Sequence, residues 1–238
     1  MPSLGLGGSL SKAGKIGSSV ITADRVLWAP LDSPGQTGTA YTGQALEFDG
    51  VSDYISVDGS AILPILEASN SYTVAVWMRT DDDTATGQMI FADYGRGNIG
   101  IAQHGTGILW YGGAGNQYDA GWFSSDTWYR VVFVKDSSLN KVSIYIDGVL
   151  EYSADNTFSI SPHATPTLSI GSNHSPSGYE HFEGALSDFQ LYDTAWTQSD
   201  VAYDYLNPEK LVLGNSATSL TYSNLLCWYP MQDGDRGN

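Results

Sequence analysis

The reading of the fold turns on two neighbouring stretches, TWYRVVFVKD (127–136) and KVSIYIDGVLEY (141–152). In the second, Val142, Ile144 and Ile146 recur at every other position. A period of two places their side chains on one side of an extended strand. Asp147-Gly148 follows at once. That pair readily supplies the two positive φ angles of a tight type I′ turn, so the segment reads as a β-hairpin. The first stretch is apolar over most of its length and reads as a buried strand.

Working outward, the same signals repeat. SYTVAVWMRT (71–80) is apolar on both faces, with Tyr72, Val74, Val76 and Met78 on one side and Ala75 and Trp77 on the other. This predicts a central strand covered on both sides. ALEFDG (45–50), DYISV (53–57), QMIFADY (88–94), NIGIAQ (98–103), GILWYGG (107–113), TLSIGS (167–172) and EGALSDFQLYD (183–193) are further short strands. One helix is expected, late in the chain. Thr197 and Asp200 form a capping-box pattern, Val201, Tyr203, Tyr205 and Leu206 give a partly apolar face, and Asn207-Pro208 ends it. Many short strands with no alternation of strand and helix predict an all-β, two-sheet antiparallel sandwich with one short C-terminal helix.

The 238 residues suit one large domain with extensions. Gly (27) and Tyr (15) are abundant while charged residues make up only 15%, a composition of strands and turns. The formal net charge of −16 repels phosphate backbones and anionic lipid, so nucleic acid and membrane insertion are not expected. A lone cysteine, Cys227, permits no internal disulfide. No apolar run approaches the ~20 residues of a membrane span. Lys12 and Lys15 are not followed by the apolar region of a signal peptide.

The order of the strand motifs resembles the concanavalin A-like, laminin G-like jellyroll superfamily over about residues 40–206. The pieces that carry the resemblance are FDGVSDYI (48–55), the 127–136 and 141–150 pair, and the Gly-x-x-x-Asp-x-x-x-Tyr run of Gly184, Asp188 and Tyr192. The resemblance implies two curved sheets with a concave face. It also implies a structural Ca²⁺ tying the first strand to the last, at positions matching Asp49, Gly50 (through its carbonyl) and Asp188, with Asp53 nearby. Calcium takes six to eight oxygens, some from carboxylates and some from backbone carbonyls. The other reading is that Asp49-Gly50 simply makes a turn. Asp81, Asp82 and Asp83 are consecutive, cannot all face one ion, and read as a solvated loop.

Some relatives of this kind hydrolyse glucans with an E-x-D-x-x-E strand motif, whose alternation puts the first Glu and the Asp, two apart, on one face. No such motif occurs here. Glu180 and Glu183 lie three apart and would face opposite ways, while Glu151 and Asp155 straddle a strand end. The four histidines (His104, His163, His174 and His181) lack zinc spacing, and no nucleophile elbow or phosphate loop is present. Ser125-Asp126-Thr127-Trp128 is better explained as a turn into a strand than as a sialidase Asp-box. A non-enzyme is expected. Lectin-type sites stack sugar rings on aromatic faces and fix hydroxyls with a few polar groups. GILWYGGAGNQYDAGWF (107–123) has that make-up, with candidates Trp110, Tyr111, Asn116, Tyr118, Asp119 and Trp122, and Tyr179 in SNHSPSGYEHF (172–182) adds another. The plain alternative is that Trp110 and Trp122 pack in the core.

The flanks carry one further pattern. Val26-Leu27-Trp28-Ala29-Pro30-Leu31 aligns with Leu226-Cys227-Trp228-Tyr229-Pro230-Met231, with Trp and Pro identical and the other positions similar in size or mostly apolar. Residues 1–19 are Gly/Ser-rich and cannot fold alone; Leu4, Leu6 and Leu10 would dock this arm on a neighbour. The expected organisation is an arm (1–19), a jellyroll (20–206), a linker (207–224) and the start of a second repeat or its remnant (225–238). The flanks resemble tailed-bacteriophage virion proteins. That implies a tail, fibre or capsid-decoration component at the virion surface, homo-oligomeric, with other virion proteins and host-surface glycans as partners. The alternative is a carbohydrate-binding module of a secreted bacterial protein, which predicts a signal peptide and a hydrolase domain in the same gene. A diverged glycoside hydrolase would instead cleave a β-glucan.

Overall fold

The computed structural model describes residues 21–23, 45–93, 99–111, 123–156, 160, 167–173, 180–208 and 210–231. The strands there are β1 Ile21–Ala23, β2 Leu46–Asp49, β3 Ile55–Asp58, β4 Tyr72–Thr80, β5 Thr86–Asp93, β6 Gly100–His104, β7 Gly107–Tyr111, β8 Trp128–Asp136, β9 Lys141–Ile146, β10 Val149–Asp155, β11 Thr167–Ile170, β12 Glu183–Tyr192 and β13 Leu225–Tyr229. Two α-helices accompany them, α1 Leu63–Ser69 and α2 Gln198–Leu206.

The strands form two sheets, as the alternation predicts. One runs β1-β3-β11-β5-β6-β7 and the other β10-β9-β8-β4-β12-β13, with β2 also paired to β12. Every pairing is antiparallel except β1 with β3. The β9–β10 turn has Asp147 at φ 51 and Gly148 at φ 81, the two positive angles that Asp-Gly was expected to supply.

Between the sheets lies the main core. Val74, Val76 and Met78 of β4, Phe133 of β8, Ile144 of β9 and Phe189 of β12 meet Ile55, Phe91, Ile101, Leu168 and Ile170 from the facing sheet. A second, smaller core covers the outer face of β4 and β8. There Ala75, Val132, Val134, Tyr145 and Tyr192 pack beneath Trp196, Val201 of α2 and Val212. Two-sided burial is why these two strands read as continuous apolar runs.

Three segments differ from expectation. Helix α1 is additional to the one helix predicted. Seven residues make only two turns, too few for a periodic signal, and Pro64 in its first turn is the sequence cue that was available. It buries Leu63 and Leu66 and ends on Asn70, left-handed at φ 51, which the Lys135 ammonium clamps through both its backbone and its side-chain oxygen. Within 207–224, expected as a linker, Val212 is fully buried with Leu213 and Leu220 packed against the same cluster, and short 3-10 turns form at Val212–Gly214 and Tyr222–Asn224. Finally, 225–231 does not stand apart from the sandwich. Strand β13 pairs with Phe189–Tyr192 of β12 and puts Leu226, Cys227, Tyr229 and Met231 into the main core.

Candidate functional site

Strand β12 organises the most elaborate polar site among the described residues. Gly184 opens it at φ 137, pressed against the Arg79 carbonyl of β4. Further on, the β12–β4 register shifts between Ser187 and Gln190, and Asp188 at that bulge takes a left-handed φ of 47. Asp tolerates that backbone better than most residues, and a bulge re-aims the side chain it carries. Asp188 is thereby brought to Arg130 of β8, with Nη2 3.1 Å from Asp188 Oδ2. Arg130 Nη1 also donates to the Asp188 carbonyl at 2.9 Å. From α2 above, Asp204 accepts Nε at 2.7 Å and Nη2 at 2.9 Å, a bidentate fork. The Trp228 indole of β13 donates to Asp188 Oδ1 at 2.7 Å, and the Gln190 amide to Oδ2 at 2.9 Å. Gln190 in turn accepts from the Tyr192 hydroxyl at 3.2 Å. The Arg130 guanidinium lies 5.9 Å from the centre of the Trp77 ring, which in turn meets the Tyr205 ring at a tilt of 32° with centres 6.1 Å apart. Arg130, Asp188 and Asp204 are all at most 2% exposed.

Two carboxylates thus share one guanidinium out of contact with water. Burial pushes the Asp188 carboxyl up to about 6; Arg130 opposes the rise and Asp204 adds to it. A carboxyl whose pKa rises on folding binds its proton more readily in the native chain. Its contribution to stability is therefore greatest below the ordinary value of 3.8, falls between about 4 and 6, and stays lower above. Asp188→Asn keeps the left-handed backbone, which Asn also adopts, and leaves one cation facing one anion. Urea unfolding at pH 4, 5, 6 and 7 should show native stability falling by on the order of 2–3 kcal/mol across this range from Asp188. The Asn variant should lose that part of the slope. Equal slopes in the two proteins would rule out Asp188 as the titrating group.

The four calcium candidates do not converge. Asp49 Oδ1 accepts the backbone N–H groups of Val51 (2.9 Å), Ser52 (2.8 Å) and Asp53 (3.1 Å). Burial is the largest single influence on the Asp49 carboxyl and raises it, but these donors and the Ser52 hydroxyl together bring it down to about 2. Asp53 Oδ2 accepts the Asp49 N–H at 3.2 Å, and Gly50 sits at φ 68 against Glu183. This is the closed turn of the plainer reading. Asp49 stands opposite Glu183 on β12, and Asp188 is five residues further along, about 16 Å at strand spacing. Asp49, Gly50 and Asp53 share one turn, whereas Asp188 is held by Arg130, Gln190 and Trp228. No group of three or more His, Cys, Asp or Glu able to hold a metal occurs among the described residues.

Of the glycan candidates, Trp110 and Tyr111 fall on β7, at the end of the first sheet, opposite Ile101 and Gly100 of β6. Asn116, Tyr118, Asp119, Trp122 and Tyr179, and the arm residues Leu4, Leu6 and Leu10, lie outside the described residues. The Asp81–Asp83 run splits between different partners, as expected of a loop. Asp81 pairs with Arg79, Asp82 caps Thr84, and Asp83 accepts the Ser125 N–H. Glu180 is bound to Asn173 through both its backbone N–H and its carboxylate. His181 Nδ1 lies 3.3 Å from the Asp53 carbonyl. Sequence reasoning missed Arg130, Asp204 and Trp228. The one available signal was a cation inside an apolar strand, TWYRVVFV, since Arg is rarely buried unless paired.

The chain that builds this sandwich, with its Gly-Asp-Tyr strand between β4 and the edge strands β2 and β13, matches the family model Laminin_G_3 of the concanavalin A-like lectin/glucanases superfamily over residues 49–202, more than half of the chain. The chain belongs to this superfamily. No curated protein matches it. Among solved structures, this laminin G-type domain is similar to a candidate carbohydrate-binding protein of Bacteroides ovatus. That likeness has 17% identity and a TM-score of 0.57, and covers 81% of this chain and 52% of the other. It is also similar to the receptor binding domain of botulinum neurotoxin C/D mosaic serotype (12% identity, TM-score 0.55, 68% and 42% covered). A third is the binding domain of botulinum neurotoxin DC in complex with SialylT (13%, TM-score 0.52, 68% and 42% covered). The laminin G-type chain therefore spans about half or less of each of these three chains, and at these identities the likeness is one of fold.

Proposed function

We propose that this laminin G-type domain is a non-catalytic glycan-recognition module displayed at the surface of a bacteriophage virion, as part of a tail, fibre or capsid decoration. Membership of a superfamily that includes lectins supports recognition. The observation that carries the non-catalytic half is how the buried carboxylates are used. Asp188 and Asp204 are bound to Arg130, Asp200 closes the α2 capping box and receives the Thr218 hydroxyl, and Asp93 receives the Ile99 N–H. Each is tied into the scaffold. General acid–base chemistry on a glycoside needs a pair that faces the substrate instead. The Gly/Ser-rich arm with Leu4, Leu6 and Leu10, and the strong negative charge, suit a display protein docked on other virion proteins. A structural Ca²⁺ belongs to the same proposal only with a ligand set other than Asp49, Gly50, Asp53 and Asp188 together.

The test is a glycan array of bacterial surface polysaccharides probed with the full chain, with reducing ends assayed after incubation. Retention on a restricted set of glycans, no released product, and loss of retention on Trp110→Ala or Trp122→Ala are the expected results. Released oligosaccharide would make the domain a hydrolase. Failure of the chain to co-sediment with phage particles would move it to the secreted-module alternative.

A further inference from the structure

The edge of β12 is shared by two strands laid end to end. Strand β2 pairs with Glu183–Leu186, and β13 pairs with Phe189–Tyr192. Both run antiparallel to β12, so they point the same way along it. The groove filled by β13 makes three kinds of demand. It takes apolar side chains at Leu226, Cys227, Tyr229 and Met231. It takes an indole N–H for Asp188 Oδ1 from Trp228. It takes the carbonyl of Pro230, which accepts the Asp188 N–H at 3.1 Å and the Ser187 hydroxyl at 3.3 Å.

The chain holds a second segment that meets these demands. In the alignment, Val26, Leu27, Ala29 and Leu31 fall on the four apolar positions, Trp28 on the indole donor and Pro30 on the carbonyl. We propose that the groove along Phe189–Tyr192 is a receptor for a Trp-x-Pro strand, and that Val26–Leu31 of this same chain competes with Leu226–Met231 for it. Continuity supports the same-chain assignment. A strand in this groove that ran antiparallel to β12 would head directly towards Leu46, where β2 begins on the same edge. The 14 residues 32–45 reach far more than the gap requires. A segment tethered that closely has a high effective concentration at the groove, which a second copy lacks. The competitors differ most in side-chain size at one position. Tyr229 sets its ring 6.4 Å from Phe189, and Ala29 has no ring to offer. That difference favours β13 as the occupant. When Val26–Leu31 takes the groove, 225–231 is released as a strand free to complete another sheet edge. This inference does not depend on the glycan reading.

The test uses the full chain and its register. Leu191 stands directly opposite Cys227. The reference variant Leu191→Cys should form a 191–227 disulfide under mild oxidation. The variant Leu27→Cys/Leu191→Cys/Cys227→Ala should form a 27–191 disulfide within single chains, read by peptide mass. Adding Tyr229→Ala should raise its rate about tenfold or more, because the ring no longer favours β13. Absence of the 27–191 link while 191–227 forms readily would overturn the proposal. A link found only between chains would overturn its same-chain assignment. Hydrogen exchange on Tyr229→Ala alone, with no cysteine introduced, gives an independent reading. Amides of 225–229 should lose protection while the β12 amides facing the groove keep it; loss of both would overturn the exchange.

Discussion

Arg130→Met should cost the domain about 3–5 kcal/mol, the largest loss expected from any single side chain here. Met retains most of the apolar stem and fills similar space, so packing is not the main cause. The loss comes from the carboxylates left behind. Asp204 would lose both of its guanidinium bonds, and Asp188 one to its carboxylate and one to its carbonyl. Two negative groups would then face each other at 2–3% side-chain exposure with no cation between them. An uncompensated buried charge costs far more than the net value of the pair it came from. Native stabilities are only about 5–15 kcal/mol, so urea unfolding should show a large fall in midpoint. The triple change Arg130→Met/Asp188→Asn/Asp204→Asn should recover much of the loss, because it removes the charges along with their partner. A midpoint for Arg130→Met within error of the native chain would mean that the network carries no structural weight.

Gly184→Ala should come close in size, for a reason of space rather than charge. A Cβ at residue 184 would sit 2.2 Å from the Arg79 carbonyl oxygen and 3.0 Å from the Thr80 Cα, both backbone atoms of β4. Neither can swing aside as a side chain would. The φ of 137 is also one that residues with a Cβ rarely adopt. The β12–β4 pairing inside the second sheet would have to open, with a loss of about 3 kcal/mol or more in thermal or urea unfolding. Gly105→Ala is the control. Its φ of 58 is also left-handed, but the nearest atom to a new Cβ is 3.9 Å away, so only the backbone term of about 1–2 kcal/mol applies. Equal losses at the two sites would show that the close approach to β4 is not what requires glycine at 184.

Much of this fold is written in local pattern. The Asp147-Gly148 turn and the alternation of Val142, Ile144 and Ile146 are properties of a dozen adjacent residues, and the structure realises them as read. The α2 capping box is equally local: Thr197 Oγ1 accepts the Asp200 N–H, and Asp200 Oδ2 accepts the Thr197 N–H. The two-sided burial of β4 and β8 could be read from their apolar runs, although what covers the outer face could not. Helix α1 was missed because seven residues give periodicity too little length.

The candidate site was less legible. Gly184, Asp188 and Tyr192 form a recognisable spaced set in the sequence, and calcium is the chemistry that the resemblance implies for Asp188. The structure gives Asp188 a different partner because a β-bulge turns it towards Arg130, and bulges leave almost no mark in sequence. Asp204 and Trp228 reach the same point from positions 16 and 40 residues away, numbers that alone carry no hint of contact.

Short-range periodicity and turn chemistry dictate which residues extend, which reverse and which faces are apolar, since each of those choices is made within a few bonds of backbone. Which segment completes the outer edge of β12, and which cation neutralises which buried carboxylate, is decided only when distant strands meet. Those energies depend on desolvation and fit at a contact that no local stretch contains.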